Sequence, residues 1–235
     1  TCALPIYYMI TDFSPFWISI KTSLLSTFIT FIIGVPIAYI IAKTNNKFKG
    51  FIDGIITLPL ILPPTVVGFF LLILCGKNGP VGIFLRNFFD VTLIFSWPAT
   101  VISAIVVAFP MMYRSTRSSF EQVDSNILNA ARTLGLNEFS IFYKIAVPLA
   151  YPGIIGGVVL TFARAMGEFG ATLMLAGNIP GKTQTMPLAI FFAVEGGNMS
   201  QAMLWVIIII IFSLSMILIM NYWSSIQDKI LGRRK

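Results

Sequence analysis

The stretch FARAMGEFGATLML, residues 162–175, sets an arginine and a glutamate four positions apart in otherwise apolar sequence. Arg164 and Glu168 fall on one face of a helix, where an ion pair can form. The order Arg before Glu is the weaker one, so helix stabilisation alone explains the pair poorly. A central arginine costs about 2.5–3.5 kcal/mol on insertion scales, and charges in such a setting either line a path for a polar solute or lock one helix against others. A second stretch, GNIPGKT at residues 177–183, has the look of a phosphate loop. Only three residues separate Gly177 from the Gly181–Lys182 pair, where the phosphate loop needs four, and no strand precedes it. Gly, Asn and Pro here read as turn formers. The chain has no histidine, and Cys2 and Cys75 stand too far apart in sequence for a disulfide framework or a zinc spacing. Neither a histidine base nor a bound metal is expected, and no catalytic residue is assigned.

The elements that must hold Arg164 and Glu168 follow from composition. Of 235 residues, 57% are hydrophobic and 11% charged, against about 25% charged in a soluble domain. An all-α integral membrane protein is expected, since an open sheet edge cannot face lipid. Five apolar segments reach the roughly 20 residues a span requires, at about 16–42, 55–75, 93–113, 148–175 and 203–223. The short segment 185–194 reads as re-entrant or interfacial, or as a sixth span. Residues 1–11 carry no basic region of a cleavable signal, and Met9 is a candidate start that would make residues 1–8 an upstream extension.

The formal charge of +7 is explained by topology rather than nucleic acid. The first and third loops and the tail hold eleven lysines and arginines, while the second and fourth loops hold three. The positive-inside rule puts the N-terminus outside and the C-terminus in the cytoplasm, which five spans satisfy. Pro59, Pro63 and Pro64 interrupt the second span. They imply a kink that either packs inside the protein or lines a pathway. Counted from Pro148 along a straight helix, Arg164 lies about 24 Å in, in the outer half of the membrane, with Glu168 one turn further. Gly153, Gly156, Gly157, Gly167 and Gly170 permit close helix approach.

Within the third loop, residues 114–147, the stretch 121–147 reads as a helical hairpin. Asp124 or Ser125 can cap a first helix that carries Ile127, Leu128, Ala131 and Leu134, and Gly135 suits its stop. Asn137 can cap a second, with Phe139, Phe142 and Tyr143 on its apolar side. An uncovered apolar face either packs on the chain's own spans or receives a partner.

NAARTLGLNEFSIFYKIAVP within this loop resembles the EAA loop of ABC importer permeases. Ala130, Ala131, Gly135, Ile145 and Pro148 match in type and spacing; Asn129 stands where the family has glutamate, and Val147 where it has leucine. The departure at Asn129 puts any salt bridge from that position in doubt. With LPLILPPTVVGFFLL, FSWPATVISAIVVAFPMMYR and FARAMGEFGATLMLAGNIPGKTQTMPLAIF, the resemblance covers most of residues 10–225 and points to the molybdate branch, whose close relatives are the sulfate/thiosulfate and tungstate permeases. It implies the MetI-like type I fold and a single permease domain over 1–235. It also implies a homodimer in the prokaryotic inner membrane, two cytoplasmic ATPase subunits, an extracytoplasmic oxyanion-binding protein and surrounding lipid. ATP belongs to the partner, so no cofactor is expected on this chain. Asn129, Ala130, Ala131, Gly135, Leu136, Ile145 and Pro148 are the expected coupling residues. Arg164, Glu168, Thr161, Gly167, Gly170, Pro63, Pro64 and Thr65 are the pathway and gate candidates. The competing classes are an intramembrane enzyme, which lacks an evident nucleophile and base, and an ATPase-independent channel, which needs no docking hairpin.

Overall fold

The computed structural model describes residues 12–44 and 47–230; the Met9 question lies outside them. Among the described residues every regular element is helical. In chain order these are α1 (Ser14–Lys43), α2 (Lys49–Ile61), α3 (Pro64–Cys75), α4 (Pro80–Phe89), α5 (Trp97–Glu121), α6 (Ser125–Thr133), α7 (Glu138–Ile141), α8 (Val147–Met166), α9 (Gly170–Ala176), α10 (Met186–Glu195) and α11 (Met199–Ile230). A π-helical turn, Phe142–Ala146, joins α7 to α8. Among the described residues four helical stretches are long and apolar enough to cross a membrane, and α2 with α3 makes a fifth if counted as one broken span.

The bundle is organised around α5, whose two sides pack on α1 and α8. The buried face of α1 carries Ser19, Thr22, Ser23, Ser26, Thr27, Thr30 and Gly34, a hydroxyl stripe at helical spacing. Small side chains let helix backbones approach closely where no hydrophobic force drives association. Thr22 and Thr100 share a hydrogen bond at 3.0 Å between α1 and α5, and Trp97 Nε1 donates to Thr22 at 3.1 Å. A Cβ at Gly34 would stand 3.1 Å from Met112. One core lies at the hairpin end, where Tyr39, Met112, Tyr113, Phe120, Leu128 and Ile141 are buried together. A second gathers Val67, Leu71, Val107 and Leu175 around α3 and α9.

Two expected spans are broken. The segment 55–75 is not one helix: α2 starts earlier, at Lys49, and meets α3 at 110°. Leu62 is extended at φ −71°, ψ 143°, because the residue before a proline is pushed out of the helical region. The segment 148–175 is likewise divided, with α8 ending at Met166 and α9 starting at Gly170. The third span starts later than expected and runs on to Glu121, taking Arg114 and Arg117 into the helix. At ten residues α10 is about 15 Å long, half of what a crossing needs, which favours the re-entrant reading of 185–194.

Candidate functional site

The two breaks meet. At the end of α8, Gly167 and Phe169 leave helical geometry, and Glu168 sits between them, 3% exposed. Its Oε2 lies 2.8 Å from Arg164 Nη1 as an ion pair without the alignment of a hydrogen bond. Its Oε1 accepts the Ala171 N–H at 2.8 Å. The glutamate therefore caps the next helix while neutralising the arginine before the break, a local side-chain bond that competes with helix continuation. A Cβ at Gly170 would lie 3.1 Å from Pro64 Cβ and from the Thr65 nitrogen, and one at Gly68 would lie 2.7 Å from Ala171 Cα. The first turn of α3 is thus pressed onto the first turn of α9. Pro63 caps α3, its carbonyl accepting the N–H groups of Val66 and Val67 at 2.9 and 3.2 Å.

The structure brings Pro64, Thr65, Glu168 and Gly170 together, with Pro63 at the elbow and Arg164 and Gly167 beside the break. Pro63, Thr65 and Gly167 are exposed and the Arg164 side chain is 25% exposed, so this cluster lies at the surface of the chain with one guanidinium at its edge. Thr161 is not part of it. Fully buried, it has a hydroxyl without a hydrogen-bond partner and faces no open path in this conformation. The straight-helix picture of Arg164 and Glu168 is corrected accordingly: the pair forms, but across a helix end.

The loop GNIPGKT closes on itself. Gly177 and Gly181 adopt positive φ of 67° and 73°. The Ile179 carbonyl accepts from the nitrogens of Lys182, Thr183 and Gln184, and the Thr183 hydroxyl bonds the Ile179 nitrogen and the Gly177 carbonyl. The backbone donors that a phosphate would need are directed inward.

At the other end of the bundle, local chemistry builds the hairpin. Asp124 caps α6 by accepting the Asn126 N–H at 2.9 Å, and Asn137 caps α7 by accepting the Ser140 N–H at 2.8 Å. Gly135, at φ 82°, ends α6 in a Schellman turn: Gly135 N bonds Arg132 O at 2.9 Å and Leu136 N bonds Ala131 O at 3.2 Å. The apolar residues divide between two surfaces. Leu128, Ala131 and Ile141 are buried in the hairpin-end core. Phe142 turns inward too, its ring 4.8 Å from Tyr39 and 6.2 Å from Phe120, and so leaves the face it was expected to share with Phe139 and Tyr143. Ile127, Leu134, Leu136, Phe139 and Tyr143 stay exposed, Leu134 at 81% and Phe139 at 72%. Asn129, Ala130 and Pro148 are exposed, and Ile145 is half-buried against the core.

On α7, Glu138 pairs with Arg132 Nε at 2.7 Å and Lys43 Nζ at 2.8 Å, while Asn129 Oδ1 accepts from Arg132 Nη1 at 2.6 Å. The Glu138 carboxylate raises the Arg132 pKa further above its ordinary value. Lys43 also sits 4.1 Å over the Tyr39 ring, so the end of α1 is tied to the hairpin.

Sequence reasoning missed a third cluster. Asp53 on α2 accepts from the Tyr113 hydroxyl and pairs with Arg117, both on α5. Arg117 Nε pairs with Glu121 at 2.9 Å, and Lys49 reaches the same Glu121 oxygen at 3.0 Å. No residue of α2 is fully buried, so this clamp holds its charged side to α5. The signal was present: Asp53 is the one acid between Lys49 and Cys75, and Tyr113, Arg117 and Glu121 recur every four residues.

A multi-pass helical bundle with two apposed helix breaks at one end and a capped, apolar-edged hairpin at the other defines a membrane transport permease. The family model described as binding-protein-dependent transport system inner membrane component matches residues 34–232, and the chain belongs to that family. It is 41% identical over 202 residues to the molybdenum transport system permease protein ModB of Haemophilus influenzae, covering 86% of this chain and 88% of that one. It is 39% identical over 218 residues to ModB of Escherichia coli K12, covering 92% and 95%. In fold it is similar to a bacterial ABC transporter involved in the import of alginate, with TM-score 0.72 at 15% identity over 94% of this chain and 82% of that chain. It is also similar to the MetNI methionine ABC transporter in an inward-facing conformation, with TM-score 0.66 at 15% identity over 94% and 98%.

Proposed function

We propose that this chain forms, as a homodimer, the membrane pathway of an ATP-driven molybdate importer. The observation that carries the substrate is the identity of about two residues in five with molybdenum permeases along nearly the whole chain. The hairpin end faces the cytoplasm, in keeping with the basic first and third loops and tail. Leu134, Leu136, Phe139 and Tyr143 seat in a groove of a cytoplasmic ATPase, one for each permease copy. This chain binds no nucleotide and no cofactor of its own. When ATP closes the two ATPases, the hairpins move as rigid bodies, and the Lys43–Glu138–Arg132 bridge passes that motion to the end of α1. The bundle switches between inward-open and outward-open states, biased by nucleotide on one side and by the loaded binding protein on the other.

The cargo is a tetrahedral dianion. Arg164, half freed at the helix break, offers it a guanidinium while Glu168 holds the arginine between passages. One cation from each copy steers an anion without trapping it, as conduction requires. The test is ATP hydrolysis by the reconstituted complex of permease, ATPase and binding protein with molybdate, tungstate, sulfate or no ligand. Stimulation by molybdate is expected; stimulation by sulfate alone would overturn the substrate, and tungstate acting alone would move it to that anion.

A further inference from the structure

A pocket of about 260 Å³ opens at the end of the bundle remote from the hairpin. The two ends are separated by the length of α1: Asp12 beside its start lines the pocket, whereas Lys43 at its close pairs with Glu138, and thirty residues span about 45 Å. The polar lining is Asp12, Gln184, Asn198 and Gln201, and its aromatic lining is Phe192 and Trp205. No lysine or arginine lines it, on a chain whose net charge is +7, and none occurs in the eleven residues before Asp12. The pocket is therefore a negative spot on a basic protein.

Its groups are held in place. Asp12 Oδ1 accepts the Ser14 N–H at 2.9 Å, which fixes the carboxylate over the first turn of α1. Asn198 Oδ1 accepts the Gln201 N–H at 3.2 Å, and Asn198 Nδ2 donates to Gln201 Oε1 at 3.4 Å. Trp205 is 4% exposed and meets Phe13 edge-on at 6.3 Å. The result is an aromatic wall below a carboxylate and amide oxygens.

We propose that this pocket is a socket for a lysine or arginine side chain presented by the extracytoplasmic binding protein. The proposal rests on the permease reading above, which puts this end outside the cell. A long basic side chain fits both parts of the lining: its methylene stem lies on Phe192 and Trp205 while its charged head reaches Asp12 and the amide oxygens. An anionic lipid headgroup is repelled by the carboxylate. A bare divalent cation finds a single charged ligand, Asp12, and the Asn198 and Gln201 amide oxygens beside it already accept hydrogen bonds. A basic anchor entering an acidic socket also favours encounter and orientation, the usual return of charge complementarity between partners.

The experiment titrates the loaded binding protein against the permease–ATPase complex in nanodiscs and reads the concentration giving half-maximal stimulation of ATP hydrolysis. Asp12→Lys is expected to raise that concentration about tenfold or more, and Asp12→Asn by a smaller factor, with a weaker dependence on salt in both. Basal hydrolysis without binding protein stays at the wild-type level, which shows that the complex is assembled. Should Asp12→Lys lower basal hydrolysis, Gln201→Lys, which puts a cation in the same pocket from α11, decides by the same readout. An unchanged half-maximal concentration in a variant with normal basal hydrolysis overturns the socket and leaves the permease reading standing. A wild-type complex that no loaded binding protein stimulates overturns the permease reading, and the socket with it.

Discussion

Replacing Arg164 by glutamine separates what the arginine holds from what it offers. In the folded chain Glu168 is 3% exposed and has two partners, the Arg164 guanidinium at 2.8 Å and the Ala171 N–H at 2.8 Å. Arg164→Gln leaves a buried carboxylate with one backbone donor. Breaking a buried pair by removing one partner costs about 3–5 kcal/mol, which at roughly 2–4 °C per kcal/mol for a chain of this size lowers the melting midpoint by roughly 6 °C or more. The double variant Arg164→Gln/Glu168→Gln removes the stranded charge, and the amide oxygen at 168 still accepts the Ala171 N–H. It is expected to regain at least half of the lost stability. Molybdate uptake is not expected to return, because the proposed charge-assisted hydrogen bond to the oxyanion, worth about 1.5–3 kcal/mol, is gone, and uptake should stay roughly tenfold or more below wild type. The assay pairs a thermal unfolding scan of the purified complex with initial uptake rates in proteoliposomes. A double variant that recovers uptake along with stability refutes the reasoning, since the arginine would then serve only to hold the glutamate.

The other tests address the elements around that pair. Gly68→Val drives a side chain into Ala171 Cα, 2.7 Å from the added Cβ, and backbone cannot yield; overpacking should cost about 1–3 kcal/mol, read as a lower melting midpoint, whereas Gly54→Ala, with nothing within 4 Å, should not lower it. Phe139→Asp and Leu134→Asp, at side chains 72% and 81% exposed, should leave the melting midpoint of the isolated permease unchanged and abolish co-purification with the ATPase. Glu138→Gln removes an exposed bridge between Arg132 and Lys43, so stability should change by about 1 kcal/mol or less, while hydrogen exchange in α6 becomes faster.

The hairpin was legible because its signals are local. Asp124, Gly135 and Asn137 each act on backbone groups within a few residues, so their types and spacing suffice. The division of the apolar residues was not legible, because whether Phe142 turns toward Tyr39 or stays beside Phe139 depends on α1 and α5. The Pro63–Pro64 bend was readable as a bend, but its 110° angle is set by distant close packing, of Gly68 on Ala171 and of Gly170 on Thr65. The break after Met166 escaped notice because a four-residue spacing of Arg164 and Glu168 suits an unbroken helix equally well. The hydroxyl stripe on α1 was masked by the apolar residues on its remaining surface. The Asp53–Arg117 clamp joins residues far apart in sequence, and no local pattern pairs them.

In the proposed function this chain is the route by which ATP hydrolysis drives an oxyanion across a membrane. The direct measurement is uptake of labelled molybdate into proteoliposomes that contain the permease with its ATPase, with ATP inside and the binding protein outside. Accumulation is expected to require both ATP and the binding protein and to be lost in Phe139→Asp. Molybdate entry that proceeds equally without ATP, or with Phe139→Asp as with wild type, would contradict the proposed function.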